Sequence, residues 1–247
     1  MTGKVYLVGA GPGDPKLITL RAVELIKKAD VVLYDRLVSK KILSMIPKRT
    51  KSIYVGRAVG DDTTHQNTTN ELMVKYAKLQ KSVVRLKGGD PIIFGRGGEE
   101  AEFLKSFDVK YEIIPGITSG IGSATYAGIP LTHREFASSV VFVTGHEDPE
   151  KKSEVVKWKK LAKSVDTIVI MMGLSRIEII TQKLIDGGMD KNMPVAVIQN
   201  GTTPKQKMIK GTVSNISNKI KRNKIKPPTN IIIGRVVALS DTIRWKK

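Results

Sequence analysis

The residues best suited to chemistry follow short apolar runs, and the first of them form a glycine-rich turn. Residues 9–15 read Gly-Ala-Gly-Pro-Gly-Asp-Pro and follow the apolar run 5–8. A strand, a glycine turn and a helix start together let a ligand approach the backbone closely and favour anions. The turn does not match the dinucleotide-binding fingerprint, because Asp14 stands where that pattern has Gly or Ala. It is not a Walker loop either, and Asp14 would repel a phosphate held there.

Two further glycine-rich segments follow a later apolar run. Residues 87–91 read Lys-Gly-Gly-Asp-Pro, and residues 95–100 read Gly-Arg-Gly-Gly-Glu-Glu. Glycine turns this close together predict backbone that faces a ligand, and the alternative is a loop whose glycines take positive φ. The small residues 118–128 likewise predict close packing, either by a ligand or by another helix.

A carboxylate follows another strand-like run, 31–34. Because ligands bind at the carboxyl ends of strands in open α/β sheets, this residue, Asp35, is a candidate base. The alternative is that it caps the next helix. Met172 and the turn 200–202 also follow strand-like runs, although methionine more often fills a core and the turn is ordinary on its own.

Strand-like and helix-like segments alternate along the whole chain. Apolar, β-branched runs occur at residues 5–8, 31–34, 53–55, 83–86, 111–114, 139–143, 167–172, 195–199 and 231–233. Apolar residues at helical spacing lie between them, at 18–29, 72–79, 177–184 and 213–220. This alternation predicts an α/β architecture with largely parallel strands. We place a boundary before Pro115, which gives two α/β subdomains, residues 1–114 and 115–247, with the active-site cleft between them.

Composition excludes several classes of site. The 247 residues carry 42 Lys and Arg against 23 Asp and Glu, a net charge of +19, and 40 % are hydrophobic, enough for a core. The absence of Cys excludes disulfides and thiolate metal sites, and we expect no metal. No apolar run reaches the ~18–20 residues of a membrane span, and the first residues predict a strand instead of a signal peptide. The charge favours an anionic partner or reflects a Lys-rich bias, and the basic segment 204–230 predicts a solvated helix and loop.

Six segments together resemble the tetrapyrrole methylases, over nearly the whole chain from Val5 to about Ile243. They are residues 8–14 (Val-Gly-Ala-Gly-Pro-Gly-Asp), 33–39 (Leu-Tyr-Asp-Arg-Leu-Val-Ser), 85–91 (Arg-Leu-Lys-Gly-Gly-Asp-Pro), 94–100 (Phe-Gly-Arg-Gly-Gly-Glu-Glu), 115–119 (Pro-Gly-Ile-Thr-Ser) and 130–134 (Pro-Leu-Thr-His-Arg). The second and fourth segments favour a member that acts on uroporphyrinogen III over methylases of later precorrins and diphthine synthase.

The resemblance implies a methyltransferase that uses S-adenosylmethionine, held folded in the cleft, and no metal. It implies C-methylation of uroporphyrinogen III at carbons 2 and 7 to give precorrin-2, for siroheme and cobalamin biosynthesis. It also implies a homodimer, and we expect a cytoplasmic protein without a nucleic-acid or membrane partner. Most of the catalysis would come from aligning the two reactants and excluding water.

The family's site residues carry over position by position. The implied cofactor contacts are Pro12, Gly88, Gly89, Asp90, Ile93, Thr118, Ser119, Met172, Gly201 and Thr229. The proton acceptor falls on Asp35, and the family's Lys donor falls on Arg57, which departs from the pattern because a guanidinium does not release a proton near neutral pH. The substrate carries eight carboxylates, for which arginine is the preferred partner. The arginines in or beside the glycine-rich loops, Arg36, Arg85, Arg96 and Arg134, are therefore the predicted substrate contacts.

Three alternatives remain open from the sequence. The nearest is a sister methylase that acts on a later precorrin. A nucleic-acid-binding protein would use the positive charge, but aromatic residues are only 5 % and no stacking platform is evident. An oxidoreductase is suggested only by the first glycine-rich turn, which lacks the dinucleotide pattern.

Overall fold

The structure is a computed structural model that describes residues 3–56, 64–146 and 155–245. The chain divides into two compact units, Met1–Ser119 and Gly120–Lys247. The first unit runs past the predicted boundary at Ile114, the last residue of its last strand. No helix in these three ranges is long and apolar enough to cross a membrane.

The first unit contains a five-stranded sheet whose strands all run parallel. The strands are β1 Lys4–Gly9, β2 Val31–Tyr34, β3 Lys51–Tyr54, β4 Ser82–Lys87 and β5 Lys110–Ile114. Their order in the sheet is β3-β2-β4-β1-β5. The parallel strands predicted for this half are confirmed, and β1 has its two neighbours β4 and β5 on either side.

Helices cover both faces of this sheet. They are α1 Leu20–Lys28, α2 Lys40–Leu43, α3 Thr64–Lys78 and α4 Gly97–Ser106. One apolar cluster packs α1 and α2 on the sheet, and a second packs α3 and α4 on the opposite face. Because successive residues of a strand face opposite sides, burial on both faces requires the continuously apolar runs seen in the sequence.

A short turn separates the first glycine-rich loop from the first α-helix. The Asp14 carboxylate accepts a hydrogen bond from the Lys16 N–H and caps only a short 3-10 turn, Pro15–Leu17. The α-helix begins at Leu20, where the Thr19 hydroxyl accepts from the Ala22 N–H at 3.2 Å. Asp14 and Pro15 therefore shape the loop, and Thr19 starts the helix.

The second unit also contains a five-stranded sheet, but most of its pairs are antiparallel. The strands are β6 Val140–Thr144, β7 Thr167–Met171, β8 Pro194–Gln199, β9 Lys207–Thr212 and β10 Thr229–Ile233. Their order is β6-β7-β10-β8-β9, and only β6 and β7 pair in parallel. The prediction of largely parallel pairing is wrong for this half, because β10 inserts in reverse between β7 and β8.

The strand β9 is a second correction. Its sequence lies in the basic segment predicted to be helix and loop, yet it forms an antiparallel pair with β8 across a short turn. It is an edge strand, and none of its residues is fully buried, so its sequence lacks a continuous apolar run.

The helices of the second unit again cover both sheet faces. They are α5 Ser119–Tyr126, α6 Trp158–Ser164, α7 Ile177–Asp186, α8 Ile216–Arg222 and α9 Ser240–Ile243. The larger apolar cluster packs α6, α7 and α8 on one face. A smaller cluster on the other face includes Ala124 of α5 and the 3-10 segment Arg235–Leu239.

Candidate active site

Two glycine-rich loops of the first unit are joined backbone to backbone. They follow β1 and β4, which are neighbours in the sheet, so both leave it at the same edge. The Gly11 N–H donates to the Gly89 carbonyl oxygen at 3.1 Å, and the Gly89 N–H donates to the Gly11 carbonyl oxygen at 2.8 Å. The two turns that the sequence singled out therefore form one continuous surface at the carboxyl-terminal edge of the sheet.

Glycine is required where these loops meet the segment after β5. A Cβ atom on Gly9 would lie 2.6 Å from the Gly116 nitrogen and 2.7 Å from the Gly89 carbonyl oxygen, closer than packed atoms tolerate. Gly89 has a φ of +72°, which strains any residue with a side chain. A Cβ there would lie 3.7 Å from the nearest atom, the Ser119 nitrogen, which is an ordinary van der Waals contact. Gly89 itself is partly exposed.

Asp90 organises the second loop through its side chain. Its Oδ1 accepts from the Ile92 N–H at 2.8 Å and the Ile93 N–H at 2.9 Å. Its Oδ2 accepts from the Gly116 N–H at 3.0 Å, which ties this loop to the segment after β5. The loop that Asp90 holds presents three exposed apolar side chains, Ile92, Ile93 and Phe94.

Asp35 lies directly after β2, and its carboxylate is held from inside the sheet. Its Oδ1 accepts from the Arg85 Nη2 at 2.6 Å, and its side chain is 27 % exposed. The cap position of the next helix is taken by Ser39, not by Asp35. The Asp35 loop lies against the second glycine loop, because a Cβ on Gly88 would lie 2.9 Å from the Leu37 Cβ. A partly exposed carboxylate therefore stands beside the second glycine loop.

Arg85 belongs to a buried network of two cations and two carboxylates. Its Nε donates to the Glu100 Oε1 at 3.0 Å, and the Lys87 Nζ donates to the same oxygen at 2.8 Å. Arg85, Lys87 and Glu100 are 4 %, 3 % and 0 % exposed. Because the charges balance when Asp35 is included, the pairing offsets part of the cost of burying them.

Burial and charge act against each other on the proton affinities of this network. Burial alone raises the pKa of the Glu100 carboxyl, but the charges and hydrogen bonds of Arg85 and Lys87 outweigh it and lower that pKa. Burial, with the Arg85 charge, lowers the pKa of the Lys87 ammonium, and this outweighs Glu100 and Asp35, which act to raise it. Burial opposes the Arg85 charge, but Glu100 and Asp35 raise the pKa of the guanidinium above its ordinary value. Arg85 and Glu100 therefore stay ionised near neutral pH.

The four arginines predicted to meet the substrate fall into two groups. Arg36, Arg96 and Arg134 have exposed side chains. The fourth, Arg85, is buried and already has two carboxylate partners inside the chain. Arg57, the residue at the family's donor position, lies outside the described residues.

The remaining predicted cofactor contacts of the first unit lie in the same loops. Pro12 is partly exposed in the first loop, and the Ile93 side chain is 44 % exposed in the second. Thr118 is buried, and Ser119 begins α5.

The predicted residues of the second unit gather at one edge of its own sheet. Met172 follows β7, Gly201 follows β8, and Thr229 begins β10. Thr229 pairs with Gln199, the last residue of β8, because β10 runs in reverse. An amino end and two carboxyl ends therefore share this edge.

Backbone strain and close packing mark these loops. Met172 and Asn200 have φ values of +56° and +51°, and the β-branched Thr202 has +67°, all in the left-handed region. Such strained residues concentrate at functional sites. Gly201 has no room for a side chain, since a Cβ would collide with the Ser123 hydroxyl oxygen, which accepts from the Asn230 Nδ2 at 2.9 Å.

Sequence reasoning did not assign roles to four of these residues: Lys87, Glu100, Ser123 and Asn230. Lys87 and Glu100 stood inside quoted motifs, but their pairing is long-range in the sequence and has no local signal. Ser123 and Asn230 pair across 107 positions, although Ser123 lies in the small-residue stretch.

The comparison with known families shows which family this chain belongs to. Residues 4–217 match the model of the Tetrapyrrole (Corrin/Porphyrin) Methylases. This chain belongs to the tetrapyrrole methylase family. The resemblance and the fold class predicted from the sequence are confirmed, and this tetrapyrrole methylase is an enzyme of the methyltransferase class.

Individual relatives cover nearly all of this tetrapyrrole methylase. Uroporphyrinogen-III C-methyltransferase of Bacillus subtilis is 51 % identical over 243 residues, which cover 98 % of this chain and 94 % of that protein. The solved structure of uroporphyrin-III C-methyl transferase from Thermus thermophilus complexed with S-adenyl homocysteine has a TM-score of 0.83 and 38 % identity, covering 96 % of this chain and 100 % of that one.

A longer relative shares the same region. Siroheme synthase of Acinetobacter baylyi is 49 % identical over 243 residues, which are 98 % of this chain and 53 % of that protein. This tetrapyrrole methylase therefore spans about half the length of that relative.

Proposed function

We propose that this tetrapyrrole methylase transfers methyl groups from S-adenosylmethionine to carbons 2 and 7 of uroporphyrinogen III, giving precorrin-2 for siroheme and cobalamin biosynthesis. It is a methyltransferase whose cofactor is S-adenosylmethionine. The observation that carries the proposal is the Asp35 carboxylate, held by Arg85 beside the joined glycine loops. The 51 % identity with the Bacillus subtilis uroporphyrinogen-III C-methyltransferase supports the choice of substrate.

The first unit's loops offer a ligand both backbone without side chains and an apolar contact. Gly89 is partly exposed and has no side chain, and the Ile93 side chain is exposed. We assign cofactor binding to these loops and to the segment after β5, through Pro12, Gly88, Asp90, Thr118 and Ser119. Asp90 also holds its loop in shape through three hydrogen bonds from backbone N–H groups. When bound, S-adenosylmethionine supplies an electrophilic methyl group on a sulfonium centre.

The second unit's loops contribute shape. Met172 presents a side chain that is 51 % exposed, and Gly201 offers backbone without a side chain. We assign both, with Thr229, to cofactor binding. The buried Ser123–Asn230 pair fixes the helix surface against which Gly201 lies.

Proton transfer is the chemical task left to the chain's own side chains. An electron-rich pyrrole carbon would take the methyl group as the methyl's bond to the sulfonium sulfur breaks and S-adenosylhomocysteine leaves, so the enzyme needs no serine or cysteine nucleophile. After the new carbon–carbon bond forms, the macrocycle must lose a proton, and we assign its acceptance to Asp35. A positioned carboxylate of this kind typically contributes ~10²–10⁴-fold to a rate.

The exposed arginines give the substrate's carboxylates their partners. Arg36, Arg96 and Arg134 are free of the buried network, and each charged hydrogen bond they form contributes ~1.5–3 kcal/mol. We assign substrate binding to these three, and Arg85 to holding Asp35. Arg57 is assigned to positioning a carboxylate, because its guanidinium keeps its proton at neutral pH. A homodimer in the cytoplasm completes the proposal and is inferred from the resemblance.

The test is an anaerobic incubation with freshly generated uroporphyrinogen III and S-adenosylmethionine, followed by mass spectrometry. We expect a product that is heavier by two methyl groups, and isotope-resolved NMR should place them on carbons 2 and 7. Methylation only of a later precorrin would move the protein to a sister activity. Salt-sensitive binding to arbitrary DNA, without methyl transfer to any tetrapyrrole, would support the nucleic-acid alternative.

A further inference from the structure

Glu100 is the innermost member of the network that reaches Asp35. It lies in the first turn of α4 and is 0 % exposed, so it does not reach the surface formed by the glycine loops. Its Oε1 accepts from both Arg85 and Lys87, at 3.0 Å and 2.8 Å. Burying this carboxylate with two cations costs desolvation free energy, and their attraction returns only part of it.

Arg85 connects Glu100 to Asp35. Its Nε is fixed by Glu100, and its Nη2 reaches Asp35 at 2.6 Å. Its remaining contact, from Nη1 to the Leu86 carbonyl oxygen, is long at 3.5 Å. Since a guanidinium is a rigid planar fork, the bond at Nε sets the direction in which Nη2 points.

We infer that Glu100 is a positioning residue for the methyl-transfer reaction, acting through Arg85 to fix the Asp35 carboxylate. The inference rests on the proposed role of Asp35 as proton acceptor. Lys87 supplies the second positive charge, which balances the two carboxylates of the network. Arg85 contacts both of those carboxylates.

Loss of the Glu100 charge changes what Asp35 faces. Asp35 becomes the only carboxylate of the network, opposite both Arg85 and Lys87. At the same time Arg85 loses its charged anchor, so the direction of its Nη2 is no longer set.

The first variant is Glu100→Gln, with Glu102→Gln as its matched control. Glu102 lies on the same helix and is exposed, so the control removes the same charge outside the network. We expect the turnover number per binding site, counted by titration with S-adenosylhomocysteine, to fall at least tenfold in Glu100→Gln. The KM for uroporphyrinogen III and the Kd for S-adenosylhomocysteine should stay within threefold. The control should match the wild type in all three quantities.

A charge-balanced variant keeps the inference testable should Glu100→Gln fold poorly. Glu100→Met combined with Lys87→Met removes one charge of each sign and leaves Arg85 and Asp35 as a neutral pair without the anchor. If Glu100 serves only to balance buried charge, this double variant regains the wild-type turnover per site, and that result overturns the inference. We expect turnover to stay at least tenfold low.

A double-mutant cycle with Asp35→Asn separates this inference from the proposed function. If Glu100 acts through Asp35, adding Glu100→Gln to the slow Asp35→Asn variant should cost less than threefold in single-turnover rate. A slow Asp35→Asn variant that loses a further tenfold would overturn the role of Glu100 and leave Asp35 as the proton acceptor. A fully active Asp35→Asn variant would instead overturn the role of Asp35.

Discussion

The two units of this methylase each carry a five-stranded sheet covered on both faces, yet they build their functional edges differently. In the first unit every strand is parallel, so the loops of interest all follow carboxyl ends. In the second, the reversed β10 brings Thr229 at its amino end to the same edge as the carboxyl ends of β7 and β8. The candidate residues of the first sheet thus all follow carboxyl ends, where ligands bind in open α/β sheets, whereas those of the second include one at an amino end.

The chemistry of the two edges differs as well. The first unit buries four charged groups behind its loops, from Glu100 out to Asp35. Behind Gly201 the second unit has the neutral Ser123–Asn230 pair, and its loops are marked by backbone strain instead. The buried ion-pair network is thus a feature of the first unit's edge, and close packing around a glycine is a feature of the second.

The largest effect on binding is expected in the first unit. Gly89→Val places a β-branched side chain at a φ of +72° and covers the backbone that faces the ligand. Affinity for S-adenosylhomocysteine should fall at least a hundredfold, measured by calorimetry. Gly98→Val is the control, since a Cβ on Gly98 meets no atom within 4 Å. Unchanged affinity in Gly89→Val would mean that the second loop does not hold the cofactor.

A smaller effect is expected from the corresponding change in the second unit. Gly201→Ala forces a Cβ against the Ser123 hydroxyl and should weaken S-adenosylhomocysteine binding roughly tenfold. Because the obstacle is a single side chain, Ser123→Gly in the same protein should restore most of the affinity. If the second change restores nothing, the packing account of this edge is wrong.

The smallest effect concerns stability at acid pH. We expect the first unit to lose stability at a higher pH than the second, because it buries an ionised carboxylate. The pKa of Glu100 is lowered in the fold from its ordinary value of 4.5, so its ionised form stabilises the protein above that pH. This contribution is lost as the pH falls below about 4.5 and through the folded pKa. The lowered pKa of Asp166 in the second unit arises from hydrogen bonds of Ser139 and Ser138 at an exposed site, so its contribution is smaller.

Hydrogen exchange measured between pH 5 and pH 3 tests this difference. Amides of β4 should lose protection at a higher pH than amides of β7, and Glu100→Gln should reduce the gap. Equal loss in both sheets of the wild type would contradict a special acid sensitivity of the first unit.

The strands of the two sheets also differ in how well the sequence alone predicts them. In the first unit, the central strands β1, β2 and β4 are largely buried and show as apolar runs, whereas the edge strands β3 and β5 are partly exposed and only part of each sequence is apolar. In the second, β9 is an edge strand with a mixed sequence, and the reversal of β10 depends on tertiary packing that no local pattern encodes.

The site was predictable to a similar degree. Motifs singled out Asp35, Asp90 and the glycines as candidates, because each stands in a loop directly after a strand-like run. The surroundings of Arg85 were not predictable, since its partners Asp35 and Glu100 lie 50 and 15 positions away. An exposed arginine and a buried one look the same in a motif.

The central claim is that Asp35 accepts the proton released on methylation of uroporphyrinogen III. Its most direct test compares the wild type with Asp35→Asn in anaerobic single-turnover methylation, with S-adenosylhomocysteine affinity measured in parallel. We predict a rate at least ~100-fold lower at unchanged affinity, in line with the loss of a general base. A variant that methylates uroporphyrinogen III at the wild-type rate would contradict the account.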